Sequence, residues 1–147
     1  MPSDLWNFAL ALYARPGVEQ ACLRAQDAGA NVCLLLCAAW LDARGEPWSE
    51  ARQARLQSLA QAHEQAVVAP LRALRRDWRE AAATDPRLHR LREELKQLEL
   101  HAERVLCERL QDCCVSWPPD EGAGNRGGWL ARLAEEADLR ALLAGGD

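Results

Sequence analysis

Isoleucine is absent from this chain of 147 residues, which also has only one Phe, one Tyr, one Met and one Lys. With six Val besides, strand-forming residues are too scarce to build a sheet. What replaces them is 27 Ala and 24 Leu, the residues with the strongest helix preference. Nine Gly and seven Pro against 49% hydrophobic and 27% charged residues exclude a disordered or collagen-like chain. A chain of this size buries roughly 70% of its unfolded surface, enough for a core without disulfide or metal staples. The composition predicts an all-α fold in a single domain spanning residues 1–147.

Other absences narrow the class. The most apolar run, Val32 to Leu41, is ten residues long, whereas a membrane span needs about 20, so it reads as a core helix. The opening Met1-Pro2-Ser3-Asp4 offers neither a charged n-region nor an apolar h-region, and the expectation is a cytoplasmic protein. Six cysteines (Cys22, Cys33, Cys37, Cys107, Cys113, Cys114) lie in helical runs without CxxC spacing and read as free, buried thiols. A single Lys against 17 Arg, with no Ile, is the mark of GC-rich codons, which weakens Arg abundance as a sign of phosphate binding. The net charge of -4 excludes coating of nucleic acid through bulk charge, and no sequence-specific DNA binding is expected.

The helix signals come in order. Ser3 is the expected cap of a helix over residues 4–14, which Pro16-Gly17 ends; a second spans 18–28 and stops at Gly29. Asn31 caps a third over 32–43, apolar on nearly every side and hence central. Together, residues 1–45 form a three-helix cluster. From Ser49 a long pattern runs to about residue 83 through Leu56, Leu59, Val67, Leu71, Leu74 and Trp78, with His63 in its stripe and a kink expected at Pro70. Thr84-Asp85-Pro86 is a turn and restart. The next helix, to about Cys114, carries Leu88, Leu91, Leu95, Leu98, Ala102 and Val105 as its apolar stripe. Residues 49–115 are therefore expected to fold as a long antiparallel hairpin. Pro118-Pro119 and the glycine-rich stretch 120–128 precede a last helix within 128–144, and residues 145–147 fray, for five or six helices in all.

Four groups of residues carry candidate chemistry. Cys33 with Cys37, and Cys107 with Cys114, share helix faces near His63 and His101, but structural zinc ligands favour knuckles and turns over regular helices. No metal and no cofactor is assigned. A Cys107–His63 pair, placed together by the hairpin register, would make an activated thiol. There is, however, no nucleophile elbow, phosphate loop or HExxH helix, and no catalytic residue is assigned. Arg72, Arg75, Arg76 and Arg79, continued by Arg87, Arg90 and Arg92, face only Asp77, Glu80 and Asp85 at the hairpin tip. This local excess fits contact with an acidic protein, RNA or a ribosome, against the plain alternative of a solvated surface. Among six tryptophans, Trp40 and Trp78 fit core positions, whereas Trp48, Trp117 and Trp129 flank loops and either staple them or line a groove.

The segment Leu5-Trp6-x-Phe8-Ala9, Leu12-Tyr13, Pro16-Gly17-Val18, Ala21-Cys22-Leu23, Gln26-Asp27, Asn31 to Cys37 and Trp40-Leu41 resembles a family of small conserved hypothetical proteins of proteobacteria, classed as a domain of unknown function. The resemblance implies a bacterial, cytoplasmic, helical protein and transfers no catalytic residue. Within it, Gln26, Asp27 and Asn31 surround the mouth of the apolar helix. They either cap it or converge with Trp6 and Tyr13 on a small-ligand site, which is the alternative function, as a ligand-binding protein or enzyme. The preferred reading is a non-enzymatic binding or adaptor protein using the arginine tip. Leucines exposed on a long hairpin leave a homodimer open.

Overall fold

A computed structural model of the chain describes residues 4–118 and 127–144. The elements among them are all helical: α1 (Leu5–Tyr13), α2 (Val18–Asp27), α3 (Val32–Ala43), α4 (Glu50–His63), a π-helical turn (Glu64–Val68), α5 (Ala69–Asp77), α6 (Arg79–Thr84), α7 (Pro86–Ser116), α8 (Trp129–Leu133) and α9 (Ala137–Ala144). The expected Ser3 cap, most of the glycine-rich stretch and the terminal residues 145–147 lie outside the described residues.

Local chemistry starts these helices where side-chain oxygens meet unpaired backbone donors. Asn31 Oδ1 accepts from Leu34 N–H at 3.1 Å, and Ser49 Oγ accepts from Arg52 N–H at 3.1 Å. Asp85 Oδ1 accepts from both Arg87 and Leu88 N–H, with Pro86 at the first helical position. At α1 the cap is Asp4, which accepts from Asn7 N–H at 2.8 Å and thus stands before the helix rather than inside its first turn. Gly17 makes the turn into α2 with φ +84°, a conformation any L side chain would strain.

Helix α3 is the hub. Eight of its residues, Cys33 and every residue from Leu35 to Leu41, are buried. It contacts α1, α2, α4, α7, α8 and α9. Burial of each large side chain here contributes about 1.5–3 kcal/mol, so a helix with no polar face is stable only at this central position. One connected cluster of buried residues runs from Leu5 to Leu143.

Helices α4, α5 and α6 and the π turn all pack along α7. Their partners on and just past α7 fall in number as their own rise: Arg52 bonds the carbonyl of Pro118, beyond the helix end, His63 that of Ala102, and Arg75 the Glu99 carboxylate, while Arg92 bonds the Arg75 carbonyl. The irregularity expected at Pro70 begins earlier, as the π turn. Proline has no N–H for the preceding turn, and Ala69 N–H reaches five residues back to the Glu64 carbonyl. A second interruption at Trp78 separates α5 from α6 and leaves that indole half-buried rather than in the core.

Two more expectations are corrected. On α7, Leu95, Ala102 and Leu106 are buried, but Leu91, Leu98 and Val105 stand 48%, 51% and 39% exposed. The leucine pattern is two parallel lines of side chains, and the neighbouring helices cover one of them. The C-terminal helix is two pieces, because Ala134 is extended and buried between α8 and α9, where Arg140 donates to its carbonyl at 2.8 Å.

The loop-flanking tryptophans are staples. Trp117 and Trp129 stack with centroids 5.8 Å apart, Trp129 Nε1 donates to the Glu46 carbonyl, and Trp48 Nε1 donates to Gln53. Asp42 accepts from the Trp129 and Leu130 N–H groups and so caps α8 from α3.

Candidate functional site

Helices α1, α2, α3, α5 and α7, with the π turn, enclose a cavity of about 600 Å³. Its floor is apolar, formed by Ala9, Val32, Leu36, Val68 and Leu106, and Trp6 and Tyr13 of α1 form one wall. The opposite rim is charged. Arg72 reaches Glu64 Oε1 at 2.9 Å and Glu103 Oε1 at 3.6 Å, and Arg75 Nε lies 3.0 Å from Glu99 Oε1. These pairs are largely withdrawn from solvent, with side-chain exposures of 13% for Arg72 and 30% for Glu103.

Each element delivers its group for a local reason. Glu99 and Glu103 are four apart on α7 and therefore share a face. Arg72 and Arg75 are three apart on α5, directly after the π turn, which carries Glu64 and Val68 to the same cavity. Single π turns inside α-helices recur at functional sites because the extra residue re-aims the side chains around it.

The electrostatics are uneven. Burial pushes the Glu103 carboxyl up to about 7, with Glu99 adding to the rise and Arg72 opposing it. Burial likewise raises the Tyr13 phenol to about 12, so it is a neutral hydrogen-bonding group. Cys33 and Cys107 also line the cavity; the Cys33 thiol donates to the Glu103 carbonyl at 3.8 Å, and the neighbouring Cys107 thiol together with burial holds it well above its ordinary range. Cys37 is raised in the same way by Cys114. All six cysteines are unbridged, and such thiols are poor nucleophiles.

Of the ligand-site candidates, Trp6, Tyr13, Gln26 and Asn31 line the cavity; Asp27 does not and is exposed. Asn31 is also the α3 cap, and its Nδ2 donates to the Ala60 carbonyl at 3.4 Å. The arginine group is divided. Arg72 and Arg75 turn into the cavity, while Arg76, Arg79, Arg87 and Arg90 are exposed. The His63–Cys107 pairing is not formed. His63 is 3% exposed, its Nε2–H donates to the Ala102 carbonyl at 2.8 Å, and Nδ1 then accepts from Arg109 at 3.4 Å. Among the described residues no group of three or more His, Cys, Asp or Glu is placed to hold a metal ion, and no helix is long and apolar enough to cross a membrane.

Glu64, Glu99 and Glu103 were not singled out by sequence reasoning. Their one sequence signal is the four-residue step from Glu99 to Glu103, offset from the leucine stripe, and it does not distinguish a cavity wall from a solvated face.

Fold and site together define an all-helical protein with a cleft between its helices, apolar at the floor and charged at one rim. The chain belongs to the family described as Protein of unknown function (DUF2390), matched over residues 4–110. That segment contains every residue lining the cavity, whereas α8 and α9 lie beyond it. No curated protein matches the chain, and no solved structure matches it.

Proposed function

We propose that the protein binds a small molecule in this cleft and is not an enzyme. The observation that carries the reading is the cavity of about 600 Å³ holding an Arg72–Glu64–Glu103 cluster above an apolar floor. An unfilled apolar hollow forfeits dispersion contacts, and charges withdrawn from water cost more than apolar side chains filling the same space. A bound ligand offsets both, and the cavity falls in the size range of ligand pockets, about 300–1,000 Å³. The single connected core supports one domain, with residues 50–116 as an antiparallel hairpin, and six unbridged thiols support a reducing, cytoplasmic setting.

The test is a small-fragment titration followed by backbone amide NMR shifts. Leu10 and Leu100 line the cleft and are 49% and 42% exposed, so Leu10→Trp with Leu100→Trp obstructs it without disturbing the core. Fragments are expected to shift amides around the cleft in the wild type and to lose that response in the double variant. Equal responses in the two proteins, or no binder at the cleft, would overturn the reading.

A second reading concerns the tip. Arg76, Arg79, Arg87 and Arg90 are exposed, which favours an acidic protein, RNA or ribosomal partner there, or a second copy of the chain along the exposed Leu91, Leu98 and Val105 line. Arg72 and Arg75 do not belong to that surface, since their charges are spent within the cleft.

A further inference from the structure

We propose that the ligand of the cleft is an amphipathic organic cation, an amine or related ammonium compound, whose charged end meets the Glu103 carboxylate and whose apolar body lies on the floor beside Trp6. The inference rests on the cleft being a binding site and adds the charge class of its occupant.

The argument is one of charge balance at close range. Four carboxylates line the cleft, those of Glu19, Glu64, Glu99 and Glu103, against Arg72, Arg75 and Lys96. Arg75 is taken by Glu99 at 3.0 Å. Lys96 turns to Glu93, outside the cleft, at 3.0 Å. Arg72 is shared, bonding Glu64 at 2.9 Å and standing 3.6 Å from Glu103. Glu103 therefore has only the longer arm of a divided guanidinium, and the three rim carboxylates Glu64, Glu99 and Glu103 share two guanidinium groups. Both guanidinium groups already hold carboxylates and only the buried Arg72 Nε–H is without a partner, so an anionic ligand would gain one donor while entering against the remaining negative charge. A cation meets the missing partner, beside an apolar floor and an aromatic wall that suit a hydrophobic body.

The same geometry couples binding to a proton. The groups around Glu103 are Arg72 and Arg75 of α5, Glu64 of the π turn, Glu99 of its own helix, Glu19 of α2, Tyr13 of α1 and Cys33 of α3. On α4, His63 turns to the Ala102 carbonyl. With its carboxyl raised to about 7, Glu103 is about half protonated at neutral pH. A bound cation favours the ionised form, so binding expels that proton. Affinity then rises by up to about tenfold per pH unit from pH 5 towards 7 and levels off above pH 8.

The experiment uses three probes with one apolar body: 4-phenylbutylamine, 4-phenylbutanol and 4-phenylbutyrate, titrated by calorimetry at pH 5 to 8 in buffers of differing ionisation enthalpy. The amine is expected to bind tightest at pH 8, to release about half a proton at pH 7 and to lose its pH dependence in Glu103→Gln. Glu64→Gln weakens the amine and moves the pH dependence to lower pH without abolishing it, which separates a lost charge from a misfolded cleft. Equal binding of amine and alcohol overturns the cation inference and leaves the cleft reading standing. Tightest binding of the butyrate overturns it in favour of an anion site. Binding by none of the three also overturns it, and the cleft reading falls with it only if the fragment titration is blank.

Discussion

The guanidinium carbon of Arg52 lies 4.3 Å above the centroid of the Trp117 ring. Arg52 is 1% exposed, and it donates to the carbonyl of Pro47 at 2.7 Å and to that of Pro118 at 2.6 Å. One side chain of α4 thus ties the α3–α4 connection to the end of α7, beneath the Trp117–Trp129 stack that docks α8. Arg52→Ala leaves two carbonyls without their donor and the indole without its cover. A loss of about 2–4 kcal/mol is expected, a fall of roughly 5–15 °C in Tm for a domain of this size. Arg52→Lys keeps the charge but not the planar fork and should recover less than half. Thermal unfolding by circular dichroism measures both, and a fall below about 2 °C for the alanine variant would contradict this account.

Glu103 sets a pH dependence of stability opposite in sign to that of an ordinary ion-paired carboxylate. Its pKa is raised on folding, so between about 4.5 and about 7 the native state holds the proton more tightly than the unfolded chain. This group's contribution to stability is fully present below that window and is lost as pH rises through it. Allowing for its partial exposure, the loss is about 1–2 kcal/mol. Glu103→Gln should therefore be more stable than the wild type at pH 8 and show no such gain at pH 5. Comparing only the difference between the two proteins removes the background of the other carboxylates.

The two leucine lines of α7 differ in consequence. Leu95 is 7% exposed and Leu98 51%. Leu95→Ala removes packed methyls and should cost about 2–4 kcal/mol in urea unfolding, while Leu98→Ala should stay within about 0.5 kcal/mol. If Leu98→Ala were costly only at high protein concentration, the exposed line would be buried in a dimer, and sedimentation would show it.

At the tip, changing Arg76, Arg79, Arg87 and Arg90 together to Glu is expected to abolish salt-sensitive capture of acidic partners without altering Tm by more than about 2 °C, since all four are exposed. Retention of the same partners at the same salt concentration would end the tip reading.

The parts legible in advance were those decided by near neighbours. Asn31, Ser49 and Asp85 cap helices through N–H groups two or three residues away, and the apolar girth of α3 announces its central place. The caps rest on contacts within one turn, so composition and spacing suffice to find them. The division of the C-terminal helix, by contrast, depends on Ala134 being buried and on the bond from Arg140 to its carbonyl.

The candidate site lay at the other extreme. Four of its expected residues, Trp6, Tyr13, Gln26 and Asn31, do meet at the cleft, but the charges opposite them come from residues 64 to 103. Arg72 and Arg76 are one helical turn apart in a run of similar residues, yet one is an ion-paired cavity wall and the other an exposed surface group. Helix-forming composition, capping and turn chemistry are short-range properties and were present in the order of the amino acids. Which leucine line is covered, where the π turn aims Glu64, and which arginines pair with carboxylates depend on how α5 seats against α7, because a side chain's environment is set by whatever packs over it.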